Sequence, residues 1–186
     1  FESDIFIGNT APNATSSAVL ASEGAYTLKF NKCIFSGNSS ATRGCVRGMV
    51  STGKMYFNAC VFHSNTISQY GSALHLNTPA AIHNCVFYGN TNGIATGASN
   101  IYHDKDLLMS NTSIRLGANA ACGLRMINGN NSVIVNNIIY NSLGGSAIIV
   151  SSGKTLTSYG YNLYKSSTGT TISGTLSFQD ATNHPD

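Results

Sequence analysis

Charged side chains are scarce in this 186-residue chain. Asp, Glu, Lys and Arg together make up 9% of it, against about 25% in an ordinary soluble domain. The surfaces of exposed helices are usually built from Glu, Lys and Arg, so this scarcity argues against a helical protein. The ten basic residues are scattered and give a net charge of +3, which excludes the clustered basic surface of a nucleic-acid-binding protein.

Long apolar runs are also missing. No stretch approaches the ~18 consecutive apolar residues that a membrane-spanning helix needs, so we expect no membrane span. No signal peptide is visible, and the chain begins at Phe1 in the middle of what looks like a repeat. We therefore expect residues 1–186 to form one domain that was part of a longer secreted protein.

Asn and Gly are abundant instead. The chain has 21 Asn and 19 Gly but only 3 Pro, a composition typical of many turns between short strands. With so few charges, solubility must come from amide and hydroxyl groups, as is common on secreted proteins. The composition therefore favours an extracellular or cell-surface location.

A nine-residue motif occurs three times, at residues 30–38, 57–65 and 82–90. In each copy an apolar residue precedes Cys by three positions, Phe follows Cys by two, and Asn follows that Phe by three. The copies are 27 and 25 residues apart. A period in the twenties indicates one supersecondary unit stacked on itself.

Stacked coils would lie ~4.8 Å apart and place equal positions over one another. An inward Asn at a corner satisfies backbone groups that would otherwise be buried without partners, although Asn is also favoured in turns for local reasons. The sequence thus predicts an all-β protein, a single-stranded right-handed parallel β-helix of about seven coils. Its predicted columns are Phe35, Phe62 and Phe87; Cys33, Cys60 and Cys85; and Asn38, Asn65 and Asn90.

Two weaker copies of the motif follow, at residues 108–111 and 138–141. They place Asp106 and Asn136 at the Cys position and make the period vary between 21 and 30 residues. A second element, Gly-x-small-apolar, follows the motif at several points, because Gly permits the positive φ of a turn. It begins at Gly44, Gly71, Gly93 and Gly145.

The chain has five cysteines, and an odd number excludes complete internal pairing. We expect the three in the motif to stack as buried thiols, which behave as small apolar side chains. Disulfides between neighbouring coils remain the alternative.

The Phe-x-x-Asn motif followed by Gly-x-Ala-apolar resembles the repeats of polymorphic outer-membrane proteins. More widely, it resembles the right-handed parallel β-helix of the pectin-lyase-like superfamily. Residues 132–141 and 158–163 are similar to the closing coils of secreted bacterial β-helix surface proteins. The resemblance implies the fold, whereas the activity stays open, because the same fold serves lyases, hydrolases and adhesins.

The best catalytic candidate is the segment His103-Asp104-Lys105-Asp106. On a strand its two carboxylates would share one face, about 7 Å apart, and suit a shared cation or an acid–base pair. The repeat alignment, however, turns Asp106 inward, and a polar loop between coils explains the segment as well. No metal or other cofactor is predicted, and Ca²⁺ enters only if the protein is an enzyme.

Two further groups are candidates for ligand binding. Arg43 and Arg47 flank one Gly element, and Arg115 and Arg125 flank a later one; these arginines would line a groove for an anionic sugar or be solvated corner residues. Tyr159, Tyr161 and Tyr164 would form a platform for sugar stacking or pack in the last coil.

Two functions follow as hypotheses. The first is a non-catalytic extracellular module of a bacterial surface or secreted protein, acting in adhesion, in glycan binding or as a structural spacer. Its partners would be a polysaccharide or host glycan, other domains of the same protein, or a second copy stacked end to end. The alternative is a polysaccharide lyase or glycoside hydrolase acting on an acidic polysaccharide, which needs Asp104 and Asp106 on the outer surface beside a basic residue.

Overall fold

The computed structural model describes residues 1–13, 17–49, 52–93, 99–117, 122–142, 145–166, 172–178 and 184–185. Within these ranges there are only short strands and no helix. Each strand pairs in parallel with its counterpart from the neighbouring coil. The predicted all-β parallel solenoid is thereby confirmed.

Two sheets that meet at a bend run along the solenoid, and we name them the first and second sheets. The strands of the first sheet are Thr27–Asn31, Lys54–Asn58, Ala80–His83, Leu107–Ser110, Ser132–Val135, Thr155–Tyr159 and Thr175–Phe178. Those of the second sheet are Ile5–Ile7, Ile34–Ser36, Val61–His63, Val86–Tyr88, Ser113–Arg115, Ile138–Asn141, Leu163–Ser166 and His184–Pro185.

The third sheet and a short sheet complete each coil. The strands of the third sheet are Leu20–Ser22, Val46–Gly48, Leu74–Leu76, Ser99–His103, Cys122–Met126, Ile148–Val150 and Ile172–Ser173. Those of the short sheet, which follows the second sheet in the early coils, are Thr10–Ala11, Ser39–Ser40, Thr66–Ile67 and Thr91–Asn92.

The solenoid has about six turns. Seven strands stack in the first sheet, and a turn is closed only when the chain passes from one of them to the next. The expected number of about seven coils is therefore slightly too high. Six steps of ~4.8 Å give a length of about 29 Å. The handedness of the winding stays a prediction.

The bend between the first and second sheets is made by one residue in the left-handed backbone region. Lys32, Ala59 and Asn84 hold this place in successive coils, with φ of 55°, 53° and 55°. Gly37 and Gly89, with φ of 62° and 63°, make the next bend, where the second sheet ends. This conformation is strained for a residue with a Cβ. The pairing of the strands on either side compensates for that strain.

The predicted phenylalanine column is confirmed. The rings of Phe35 and Phe62 are stacked with centroids 4.4 Å apart, and those of Phe62 and Phe87 with centroids 4.8 Å apart. All three side chains are fully buried. A parallel strand pair fixes this overlap, because the Cα atoms of these residues are direct partners in the second sheet.

The predicted asparagine ladder is confirmed as well. The Nδ2 of Asn38 donates to Oδ1 of Asn65 at 2.9 Å, and the Nδ2 of Asn65 donates to Oδ1 of Asn90 at 2.9 Å. The Nδ2 of Asn65 also donates to the carbonyl oxygen of Phe35 at 3.0 Å. These buried amides therefore satisfy both one another and the backbone of the preceding strand.

Cys33, Cys60 and Cys85 stand directly before strands that pair with one another, and all three are buried. All five cysteines of the chain are free thiols. This confirms the expected column of buried thiols.

The two weaker copies of the motif were misaligned. Leu108, which the motif places in the phenylalanine column, is exposed and lies in the first sheet, opposite Ala81. The residues that continue the column after Phe87 are Ile114 and then Ile139. The spacing of an apolar residue and an Asn thus placed the first copy on the wrong strand. It placed the second copy on the right strand but one residue out of register, since Ile139 and not Ile138 is buried.

The correction changes which residues follow the cysteines in their column. Thr112 and Asn137 hold these positions, so the placing of Asp106 and Asn136 there was wrong. Both are buried and hydrogen-bonded: the backbone N–H of Thr112 donates to Oδ1 of Asn137 at 3.0 Å. Successive strands of the second sheet here are 27 and 25 residues apart rather than 21 and 30.

The Gly-x-small-apolar elements lead into the third sheet. Gly71 and Gly145 have the expected positive φ, at 54° and 89°. Gly44 does not, but a Cβ there would lie 2.6 Å from the backbone nitrogen of His75, so close packing of coils excludes a side chain. In the copy that begins at Gly93, residues 94 and 95 lie outside the described residues.

Candidate functional site

The catalytic candidate segment is a turn rather than a strand. The third sheet ends at His103 and the first sheet resumes at Leu107, so Asp104 and Asp106 do not share a strand face. The carboxylate of Asp104 accepts a hydrogen bond from Nδ2 of Asn128. Lys105 is half-buried, and its backbone N–H donates to Nδ1 of His103 at 3.3 Å.

The carboxylate of Asp106 is used to hold the next coil. Its Oδ1 accepts the backbone N–H groups of Asn130 and Asn131 at 2.9 and 3.0 Å, and its Oδ2 accepts Nδ2 of Asn131 at 3.2 Å. The backbone N–H of Asn131 is the main cause that lowers the pKa of Asp106. Asp106 thus stays ionised at neutral pH, and its hydrogen bonds to Asn130 and Asn131 hold the next coil in place.

His103 cannot meet a substrate, because it is fully buried. Burial lowers the pKa of this imidazole to about 4, so the ring is neutral at pH 7. Among the described residues there is also no group of three or more His, Cys, Asp or Glu side chains placed to hold a metal ion.

The tyrosine platform does not exist as a set of three. Tyr159 and Tyr161 are exposed, but Tyr164 is fully buried. Its hydroxyl lies 2.8 Å from Oγ of Ser158, and its Cα pairs with that of Ile139 in the phenylalanine column. The prediction that Tyr164 contacts a ligand is therefore wrong, since it is a core residue whose polar tip needs an internal partner.

Arg47 belongs to a column on the outer face of the third sheet. Its Cα pairs with that of His75, which pairs with Tyr102, which pairs with Arg125. The residues beside each of them on its strand are buried, so these four side chains face away from the core. Arg47 and His75 are nevertheless covered, whereas Tyr102 and Arg125 are half-buried. Three steps of ~4.8 Å separate the backbones of Arg47 and Arg125 by about 14 Å.

The loops that enter the third sheet add Arg43 and Tyr70 to this column. The guanidinium carbon of Arg43 lies 5.3 Å from the ring centroid of Tyr70. The ring of Tyr70 in turn lies edge-on to His75 at 5.7 Å and to Tyr102 at 5.1 Å. The loops are placed by a hydrogen bond of 3.1 Å from the backbone N–H of Tyr70 to the carbonyl oxygen of Thr42.

We name this set the arginine–tyrosine cluster. Its members come from four successive coils and are Arg43, Arg47, Tyr70, His75, Tyr102 and Arg125. Of the predicted ligand-binding residues, it unites Arg43, Arg47 and Arg125 and leaves out Arg115 and the tyrosines of the last coil. Tyr70 and Tyr102 were missed, because they lie outside the repeated motif and only the coil register aligns them.

Positive charge dominates the cluster. Burial, and after it the charges of Arg43 and Arg47, lower the pKa of His75 to about 3, so that ring is neutral at ordinary pH. Burial also lowers the pKa of Arg47, helped by Arg43. Burial raises the pKa of Tyr102, which keeps its hydroxyl protonated. The cluster therefore offers guanidinium and hydroxyl donors beside aromatic rings, a chemistry that suits polar, ring-shaped and anionic ligands.

A separate cleft lies on the first sheet. Its volume is about 380 Å³, and Lys54 and Asp106 both line it, together with Ala80, Leu108 and Val133. Asp104 is not among its lining residues. The cleft thus places Asp106 near Lys54, a basic residue from another coil, as an enzyme would require. It does not bring Asp104 and Asp106 together.

A larger cavity of about 670 Å³ lies in the first coils and is lined in part by Lys29, Asn31 and Tyr56. The ammonium groups of Lys29 and Lys54 lie 5.9 and 5.0 Å from the centroid of the Tyr56 ring. Both lysines therefore compete with any ligand for the faces of that ring.

No helix among the described residues is long and apolar enough to cross a lipid bilayer. Comparison of the chain with family models, with curated proteins and with solved structures finds no match in any of the three. The assignment of a site therefore depends on the geometry of the solenoid itself.

Proposed function

We propose that this chain is a non-catalytic module of an extracellular or cell-surface protein and that it binds glycans on the outer face of its third sheet. The observation that carries the proposal is the arginine–tyrosine cluster, in which Tyr70 and Tyr102 are half-buried and held by consecutive coils. Aromatic rings with one polar end contact sugars well, since one part is apolar and the other forms hydrogen bonds.

The stacked construction supports such a role. Buried ladders fix each coil on the next, so side chains on the outer face keep their positions without a ligand. A preorganised surface loses little entropy on binding. Kinship with the pectin-lyase-like superfamily or with polymorphic outer-membrane proteins, and a bacterial source, are parts of the same proposal and follow from the resemblance of the motifs.

The test is a glycan-array screen of the purified chain, followed by titration of the best ligand. Tyr70→Ala and Tyr102→Ala should each weaken binding at least tenfold. Tyr26→Ala, an exposed tyrosine outside the cluster, is the matched control and should bind like the parent. If no glycan binds, the proposal fails. If Tyr161→Ala abolishes binding instead, the module stands and the site moves to the last coil.

A polysaccharide lyase or glycoside hydrolase is the second candidate. The observation in its favour is that Lys54 and Asp106 line one cleft. We expect no turnover of uronic-acid polymers, because the carboxylate of Asp106 is already bound by the next coil. Release of new chain ends that Asp106→Asn abolishes would reverse this choice.

A further inference from the structure

We propose that Arg43, Arg125 and the hydroxyl of Tyr102 form a subsite for an oxyanion, a carboxylate or a sulfate group carried by the bound glycan. This inference depends on the proposed function and adds the chemical group that the cluster recognises. It starts from two arginines whose charge no described neighbour neutralises.

Arg43 and Arg125 lack ionic partners among the described residues, where the one ion pair joins Lys32 to Glu2 at 3.7 Å. The Nε atoms of Arg43 and Arg125 are also buried without a hydrogen-bond partner there. A buried donor that stays unpaired costs more free energy than a paired one gains. Pairing these guanidinium groups with acceptors on a ligand would therefore contribute favourably to the free energy of binding.

Tyr102 lies near both Arg43 and Arg125. Its ring is 5.1 Å from the ring of Tyr70, over which Arg43 lies at 5.3 Å. Its strand pairs with the strand of Arg125, and the two residues are direct partners. The charges of Arg125 and Arg43 both act to lower the pKa of Tyr102, against the larger effect of its burial. The phenol of Tyr102 thus lies within electrostatic reach of both cations and adds a third donor to them.

Two acids within the described ranges act on members of the cluster. Asp104 is close enough to act on Tyr102, but its carboxylate accepts a hydrogen bond from Asn128. Glu23 acts on Arg47 at the other end of the column. These two acids explain why we place the subsite at Arg43 and Arg125 and leave Arg47 out of it.

Planar guanidinium groups bind carboxylate and sulfate through paired N–H donors, which a lysine cannot reproduce. Three polymers with one backbone separate the possible sources of the anion: carboxymethyl-dextran, dextran sulfate and unmodified dextran. We expect the parent chain to bind one or both charged polymers at least tenfold more tightly than unmodified dextran. Preference between the first two identifies the anion as carboxylate or sulfate.

The variants are Arg43→Gln, Arg125→Gln and Tyr102→Phe. Each arginine change should weaken binding of the preferred charged polymer at least tenfold, and Tyr102→Phe should weaken it severalfold. Arg115→Gln is the control, because it removes the same charge from an exposed site on the second sheet. Binding that Arg115→Gln weakens as much as Arg43→Gln would overturn the subsite, since net charge alone would then explain the affinity.

A measurement on the parent chain does not depend on how the variants fold. The Nε–H NMR signals of Arg43 and Arg125 should shift during titration with the preferred charged polymer, while the Arg115 signal stays in place. Unchanged signals for the first two would refute the inference, as would equal affinity for all three polymers or for none. If neutral glycans bind on the array while charged dextrans do not, the proposed function survives and the oxyanion subsite fails.

Discussion

Replacing Asn65 by Ala removes the middle of the buried amide ladder. The side chain of Asn65 makes four hydrogen bonds. Its Nδ2 donates to the carbonyl oxygen of Phe35 at 3.0 Å and to Oδ1 of Asn90 at 2.9 Å. Its Oδ1 accepts the backbone N–H and the Nδ2 of Asn38 at 3.0 and 2.9 Å. Water cannot replace these partners without opening the coil, because the residues are fully buried.

The expected cost follows from that number. At about 1 kcal/mol for each hydrogen bond, Asn65→Ala should lower the free energy of unfolding by about 4 kcal/mol. For a chain of this size the melting temperature should fall by about 10 °C. This loss is large against the 5–15 kcal/mol, roughly, that stabilises a typical domain.

The control is Asn58→Ala. The Asn58 side chain also bridges two neighbouring coils, donating to Oδ1 of Asn31 at 2.7 Å and accepting from Nδ2 of Asn84 at 3.0 Å. It does so at the exposed surface, where water takes over both partners, so the cost should stay within about 0.5 kcal/mol. The pair therefore separates the effect of burial from that of bonding between coils.

The assay is urea unfolding followed by far-ultraviolet circular dichroism, since the chain has no Trp to report by fluorescence. The midpoints of both variants are compared with that of the parent. A difference between the two variants below about 1 kcal/mol would refute the reasoning, because the buried ladder would then contribute no more than a solvated one.

Three further predictions concern the core, the turns and the response to acid. Phe62→Ala should cost about 4 kcal/mol in urea unfolding, because its ring stacks at 4.4 and 4.8 Å on those of both neighbouring coils; a loss below that of an ordinary surface substitution contradicts the column. Gly71→Ala should cost about 3 kcal/mol, since the new Cβ would lie 1.9 Å from the carbonyl oxygen of Leu74. Gly37→Ala is the control: it is also at positive φ but has nothing within 4 Å of the new Cβ, so it should cost about 1 kcal/mol. Equal melting temperatures of the two variants would show that the backbone moves to relieve the close approach at Gly71. The pKa of His75 is about 3 in the folded protein and 6.5 in the unfolded chain. The unfolded chain therefore binds the proton first, and the free energy of unfolding falls as pH drops from 6.5 towards 3. His75→Gln should flatten that decline in urea midpoints between pH 7 and pH 4, and an unchanged slope would assign the acid response to other groups.

The early coils could be predicted because their motif is complete. In each of residues 30–38, 57–65 and 82–90, Cys, Phe and Asn occur at one spacing, and a single register satisfies all three columns. In the next coil Thr112 and Ile114 replace Cys and Phe, and the chain offers no Asn at the matching corner. With none of the three markers left, the pattern from Leu108 to Asn111 on the adjacent strand matched the motif better.

The candidate site could be predicted only in part. Arg43 and Arg47 stand out in the sequence because they flank a glycine element. Arg125 flanks another glycine element, but Tyr102 carries no such mark, and Tyr102 and Arg125 lie 55 and 78 residues beyond Arg47 in the chain. They join it only because parallel pairing sets every coil directly over the last. Sequence spacing cannot show this without the coil lengths between them.

The residue pattern is enough to predict the stacked architecture, the phenylalanine and asparagine columns and the burial of the thiols, because each depends on a motif that recurs once in every early coil. The tertiary structure alone decided the register of the later coils, the burial of Tyr164 and the separate partners of Asp104 and Asp106. These features depend on loop lengths and on contacts between coils. A local pattern carries no information about them, whereas the close packing of parallel strands fixes them to within a single residue.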